Sequence, residues 1–301
     1  MIINRKDKFS FKSFIFALSF ERTLFLSLNV DDMSKKRVLI VTQEMQPFTA
    51  LSEIAEIARK LPQYIQENGM EIRVLMPRFG TINERRHRLH EVVRLSGMNI
   101  IVDDDDYPLI IKVASLPGAR MQVYFLDNEE FFKRKYEFND DNDLPFEDNA
   151  DRMIFFCKGA IETVKKFGWP PDIIHCHGWM TSLIPFYIKT AYKNEPIFKT
   201  AKVIYSVYNF KPDQAFSERF AAKAAINNLE SKDLLAFQNG SGISLNKGAI
   251  SFCDALISLK SEQDESIQSA VKDIDKPHLI ADETNEYLLE TLDFYKSLSE
   301  E

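Results

Sequence analysis

Short runs dominated by aliphatic and β-branched residues recur along this chain, and they limit its fold more than any other feature. Val38-Leu39-Ile40-Val41-Thr42 is the first. Ile72–Met76 is the second, and Ile173–Cys176 and Val203–Val207 follow. A strand that is apolar on both faces needs cover on both faces, as in a parallel sheet flanked by helices. Helical stretches separate these runs. Ser52 caps one that reaches about Asn68, with Pro62 as an expected break and Gly69 as its stop. Another, amphipathic, spans Asn149–Phe167, with Asp148 at its start, where a carboxylate suits the helix dipole. The alternation predicts an α/β fold: a single Rossmann-like, doubly wound, mostly parallel sheet.

Between these landmarks, Leu89–Leu95, Met98–Val102, Leu109–Ala114 and Gln122–Leu126 read as shorter strands, and Phe131–Phe146 as an irregular surface loop. The Asp103–Asp106 run reads as a solvated turn, since consecutive carboxylates repel rather than converge on a cation. Further on come a helix at Leu245–Phe252, a strand at Ala255–Ser258 and a helix at Glu262–Ala270. An acidic amphipathic helix, Glu283–Leu298, closes the chain.

Composition narrows the function. A net charge of -7 without a long Lys/Arg run argues against nucleic acid and anionic membranes as partners. Cys157, Cys176 and Cys253 each sit in an apolar stretch, as reduced thiols do in a cytoplasm. Cys176 lies between two histidines, but strand neighbours alternate faces, so it points away from both imidazoles and no zinc site or other cofactor is expected. Phe9–Leu28 has a signal-like apolar segment. Glu21 and Arg22 interrupt it, no small-residue cleavage site follows, and it is too short and too charged to span a bilayer. We therefore expect residues 1–32 to be a disordered extension or a mis-assigned start ahead of Met33. Residues 33–275 form the domain, and residues 276–301 supply a helix that packs on it.

The most informative stretch for chemistry is Asp172-Ile173-Ile174-His175-Cys176-His177-Gly178-Trp179, a β-branched strand ending in two histidines before an apolar helical run. Ligands of open α/β sheets sit at such strand ends, beside the next helix N-terminus. Two imidazoles there could bind a polar ligand or exchange protons; they could equally hold the loop.

Together with other segments, this stretch resembles the bacterial glycogen synthase and plant starch synthase family, retaining glycosyltransferases that use ADP-glucose. VLIVTQEMQP (38–47) is similar to the family's opening strand and S-E-x-x-P loop, and IRVLMPRF (72–79) to its V-R-V-x-x-P-x-Y strand. DNADRMIF (148–155) resembles D-N-x-x-R-F, and DIIHCHGW (172–179) resembles D-x-x-H-x-H-D-W. Weaker matches are VIYSVYNF (203–210) to V-x-T-I-H-N-x, and LNKGAISFCDALISL (245–259) to L-K-x-G-I-x-x-A-D-x-V-x-T-V. The order and spacing hold over about residues 37–262.

The resemblance implies the N-terminal, acceptor-side half of a GT-B fold, with α-glucan or a nucleotide sugar as ligand. The family's donor-binding half would have to come from a separate C-terminal glycosyltransferase chain. It also implies candidate substrate-binding residues: His177, Asp148, Asn149, Trp179 and Lys247, with none assigned as catalytic. Each has a plain alternative: a loop cap for His177, a helix cap for Asp148 and Asn149, core packing for Trp179, and a solvated surface position for Lys247. Glu44 matches the family's strand-end Glu and would brace the loop. Three positions depart from the family. Phe48-Thr49-Ala50-Leu51-Ser52 stands where the family has its phosphate-contacting K-x-G-G-L, Gly178 replaces the Asp of H-x-H-D-W, and Tyr208 replaces a His. The expected function is glycogen/starch synthase-like glucosyl transfer to an α-1,4-glucan, degenerate or inactive in this chain. The alternative is a non-catalytic module that binds glucan or a partner.

Overall fold

A computed structural model describes residues 35–208, 215–260, 265–272, 274–282 and 286–300. The expected extension at 1–32 lies outside them, as do Asn209, Phe210 and residues 261–264. In chain order, β1 (Arg37–Thr42), α1 (Ile54–Glu67) and β2 (Glu71–Pro77) make the first β-α-β unit. An antiparallel excursion follows: α2 (Glu84–His87), β3 (His90–Glu91), β4 (Met98–Val102), β5 (Asp105–Ser115), β6 (Gln122–Asp127) and α3 (Glu129–Phe132). Then come α4 (Asn149–Phe167), β7 (Ile173–His177), α5 (Leu183–Lys189), β8 (Lys202–Val207) and α6 (Phe220–Ala224). The chain continues with α7 (Gly242–Phe252), β9 (Ala255–Leu259), α8 (Glu265–Lys272), β10 (His278–Ala281) and α9 (Glu286–Glu300).

The strands form one sheet in the order β10-β9-β8-β7-β1-β2-β6-β5-β3, with β4 paired to β5. Neighbours from β10 to β6 are parallel, and β5 runs antiparallel to β6, β3 and β4. The doubly wound, mostly parallel α/β fold expected from the apolar runs is the fold found. Every residue of β7 and β9 is buried, as helices on both faces require. The chain leaves β1 toward β2 and later returns to β1's other side as β7, with Thr42 beside His177. The strand order therefore reverses between β1 and β7, which opens a crevice at their carboxyl ends.

Several local expectations are corrected. Pro62 lies inside an unbroken α1, because it forfeits only its own hydrogen bond while Leu61, Pro62 and Ile65 stay buried. The expected strand at Leu89–Leu95 is reduced to His90–Glu91, since Leu95 and Ser96 turn back to bond the Val92 carbonyl. Only Asp103 and Asp104 of the acidic run form a turn; Asp105 pairs with Val102 and Asp106 with Ile101 in a hairpin. The supposed loop after Phe131 begins in α3, with Phe131 and Phe132 buried. The strand β10, on the sheet edge, gives no sign in its short sequence.

Candidate functional site

His175 and His177 share one face of β7 because side chains repeat every second residue, and their rings lie 3.9 Å apart. His175 is fully engaged: Nδ1 is 2.5 Å from the Tyr295 hydroxyl and Nε2 is 2.7 Å from Ser206 Oγ. His177 Nδ1 meets the Tyr208 hydroxyl at 2.8 Å, whereas its Nε2 is buried with no hydrogen-bond partner among the described residues. Burial pushes both imidazoles down, His175 well below its ordinary range and His177 to about 3. Both are neutral near pH 7. His175 is thus a structural link, and His177 keeps one nitrogen for a polar neighbour. Cys176, on the opposite face, is a buried thiol that burial holds protonated.

Gly178 follows at φ +85°, a backbone conformation that a side chain strains. The space is also taken. A Cβ there would lie 2.3 Å from Gln43 Oε1, so the Gln43 amide occupies the volume above Gly178. It reaches toward the Met180 N–H at 3.5 Å. Where the family pattern has an aspartate on the loop, this chain has a glycine with a glutamine leaning over it from the residue just after β1.

Glu44 is fully buried although it carries a carboxylate. Oε2 accepts the backbone N–H groups of Leu51 (2.5 Å) and Ser52 (3.0 Å), and Oε1 accepts the Ser52 hydroxyl at 2.6 Å. Three donors around one buried carboxylate fix the loop that leads into α1. Phe48 and Thr49 close the same turn onto the Met45 carbonyl. The backbone amides that a diphosphate would need at this helix entrance are already satisfied from within the chain.

The other sequence candidates are dispersed. Asp148 precedes α4 but makes no side-chain cap. Instead Arg134 grips its two oxygens at 2.7 and 2.5 Å. Asn149 is buried, donating to the Phe138 carbonyl at 2.9 Å and accepting from Arg152 Nη1 at 2.7 Å. Trp179 is buried between Phe138 and Phe216, with ring centroids at 5.1 and 6.0 Å. Lys247 is exposed on α7. Its neighbour Asn246 faces inward, accepting from the Tyr205 hydroxyl and donating to the Tyr208 carbonyl. The structure thus joins His177 and Trp179 at one strand end, joins Asp148 and Asn149 at another helix start, and leaves Lys247 apart.

Sequence reasoning did not single out Arg152. It is fully buried, donates Nε–H to the Phe131 carbonyl, and lies 5.3–5.7 Å from the ring centroids of Phe79, Phe132 and Phe146. Burial lowers its pKa to about 9. Its position one turn after Asn149 was the available signal. Gln43 left none, because only the return of β7 beside β1 brings it to Gly178. Among the described residues, no three His, Cys, Asp or Glu side chains group to hold a metal ion, and no helix is long and apolar enough to cross a membrane.

A doubly wound sheet with a switch-point crevice walled by a strand-end histidine and a helix-entry loop is the architecture of a GT-B glycosyltransferase domain. The starch synthase catalytic domain model matches residues 37–273, and the chain belongs to that family. Relatives include a glycogen synthase of Pelodictyon phaeoclathratiforme, 41% identical over 174 residues, covering 58% of this chain and 36% of that protein. A glycogen synthase of Chlorobium luteolum is 43% identical over 176 residues, with the same coverage of both chains. This chain thus spans little more than a third of the length of these relatives. The catalytic domain of starch synthase IV from Arabidopsis thaliana, solved bound to ADP and acarbose, shares the fold. Its TM-score is 0.66 at 18% identity, over 82% of this chain and 52% of that one.

Proposed function

We propose that the chain provides the acceptor-side crevice of a glycogen/starch synthase-type glycosyltransferase, and that it holds α-1,4-glucan there without itself transferring glucose from ADP-glucose. Family membership supports the glucan and nucleotide-sugar chemistry. One observation carries the non-transferring part. The Glu44 carboxylate occupies the Leu51 and Ser52 amides at the entrance of α1, where the resemblance would put a phosphate-contacting loop. A phosphate brought to these amides would have to displace a buried carboxylate that already holds three donors, and its charge would face that carboxylate. His177 Nε2, buried at the strand end and without a hydrogen-bond partner among the described residues, is the nitrogen we assign to a sugar hydroxyl, and Trp179 and its aromatic neighbours form the adjoining wall. Asp148 and Asn149, committed to Arg134, Phe138 and Arg152, shape that wall rather than contact glucan.

The test incubates purified protein with labelled ADP-glucose and a glycogen primer, and in parallel measures co-sedimentation with glycogen. The expected result is co-sedimentation, weakened in His177→Ala, with no incorporation of label. Incorporation above the His177→Ala control would establish the second reading, which the family favours: an active synthase half. In that case, adding a separately produced donor-binding half should raise the rate further.

A further inference from the structure

A second pocket lies at the opposite end of the sheet from the crevice, at the amino ends of β2 and β6. It has a volume of about 400 Å³, within the range of roughly 300–1,000 Å³ typical of small-molecule clefts. Arg73 and Arg120 supply its positive charge, Glu71 its one carboxylate, and Gln66, Ser115, Gln122 and Tyr124 its neutral polar groups. The arrangement around Arg73 is built rather than incidental. Its guanidinium stands 4.5 Å from the Phe167 ring centroid and 4.7 Å from that of Trp169, so two aromatic faces hold the fork in place. Trp169 is itself anchored by its indole N–H, which donates to Glu71 Oε1 at 2.7 Å.

The charge here is unbalanced. Glu71, the one carboxylate lining the pocket, attracts Arg73, while Arg94 and Arg37 repel it, so cations outnumber carboxylates around the site. Glu71 is already engaged by Trp169 and, at 3.6 Å, by Arg37. Among the described residues, the side chains of Arg73 and Arg120 have no hydrogen-bond acceptor or ion-pair partner. An aromatic-clamped arginine with unused donors, beside a second arginine, is placed to receive an anion. Gln66 already donates to the Arg120 carbonyl and the Tyr124 hydroxyl to Gln122 Oε1, which leaves the Gln66 side-chain carbonyl, the Gln122 amide N–H groups and the Ser115 hydroxyl for the hydroxyls of a polyol.

We propose that this pocket binds a small phosphorylated sugar, with the phosphate on Arg73 and Arg120 and the sugar hydroxyls on Gln66, Ser115 and Gln122. The position is not that of a reaction centre, because ligands that react on open α/β sheets sit at the carboxyl ends of the strands. Occupancy would therefore be regulatory. It would stabilise the start of β2, whose far end leads to the crevice, and the proposal does not depend on whether the crevice transfers glucose.

The test follows the thermal unfolding midpoint while titrating the protein with a hexose monophosphate, with inorganic phosphate, and with the unphosphorylated hexose, at constant ionic strength. The expected result is a saturable rise with the hexose monophosphate, a weaker one with phosphate, and none with the neutral sugar. Arg120→Gln, an exposed change that leaves the fold intact, should weaken binding about tenfold or more, and Arg73→Gln should remove it. The proposal is overturned if no saturable shift occurs, or if the Arg120→Gln titration matches the wild type. Equal affinity for inorganic phosphate and the hexose monophosphate overturns the assignment of a sugar to the amide-lined side.

Discussion

Gly178 and Gln43 show how one residue's identity can be set by another far away in the chain. At φ +85° with a glutamine amide overhead, Gly178 tolerates no Cβ without moving Gln43. Gly178→Ala should therefore destabilise the protein by about 1–3 kcal/mol in urea denaturation. Gln43→Ser in the same chain should restore the steric share but not the backbone strain, so the double-mutant cycle should be clearly non-additive. A purely additive result would mean that the two residues do not meet. The histidines behind Gly178 carry a pH signature. Folding holds both neutral, His177 down to about 3, whereas in the unfolded chain they bind protons below about pH 6.5. Their stabilising share is therefore complete above about 6.5 and is lost as the pH falls from there toward 3. The slope is up to about 1.4 kcal/mol per pH unit for each histidine. His177→Asn should lose one histidine's share of the difference in unfolding free energy between pH 7 and pH 5. Chemical denaturation of the two proteins at both values measures this.

At the scale of elements, the β1–α1 connection is the feature most changed from the family pattern, and Glu44 organises it. Glu44→Ala leaves the Leu51 and Ser52 amides without an acceptor. Hydrogen exchange at those two amides should accelerate at least tenfold, with a loss of roughly 2–4 kcal/mol in stability. If exchange there is unchanged, the carboxylate is not what fixes the loop, and the Leu51 and Ser52 amides remain available to a donor phosphate. The elements themselves were legible to unequal degrees. β1, β7, β8 and α4 were readable because long apolar runs and a clear helical period leave few alternatives. β10 was not, and β3 was read only as a longer strand over Leu89–Leu95. A two-residue strand and a four-residue edge strand are defined by the partner they pair with, and pairing is a non-local fact.

Across the whole molecule, the closing helix is tied to the middle of the sheet. The Tyr295 hydroxyl, on α9, meets His175 Nδ1, 120 residues away on β7, and that imidazole passes on to Ser206 on β8. Tyr295→Phe should cost about 1–3 kcal/mol and lower the urea midpoint of the whole transition, with the far-UV circular dichroism of the folded state unchanged. A separate early transition for the helix alone would show instead that α9 melts independently of the sheet.

The sequence by itself determined the fold class and the family, because both rest on local patterns. Apolar runs dictate covered parallel strands, and DIIHCHGW with its companion segments keeps its order whatever the packing. The tertiary structure alone decided which neighbours the candidate site residues hold. His175 turned out to be a saturated link to α9, Asp148 the partner of Arg134, and Asn149 a brace for Arg152. Each of these partnerships is invisible in a motif, since a polar side chain's role depends on whether burial has left its donors and acceptors satisfied, and only the folded chain settles that.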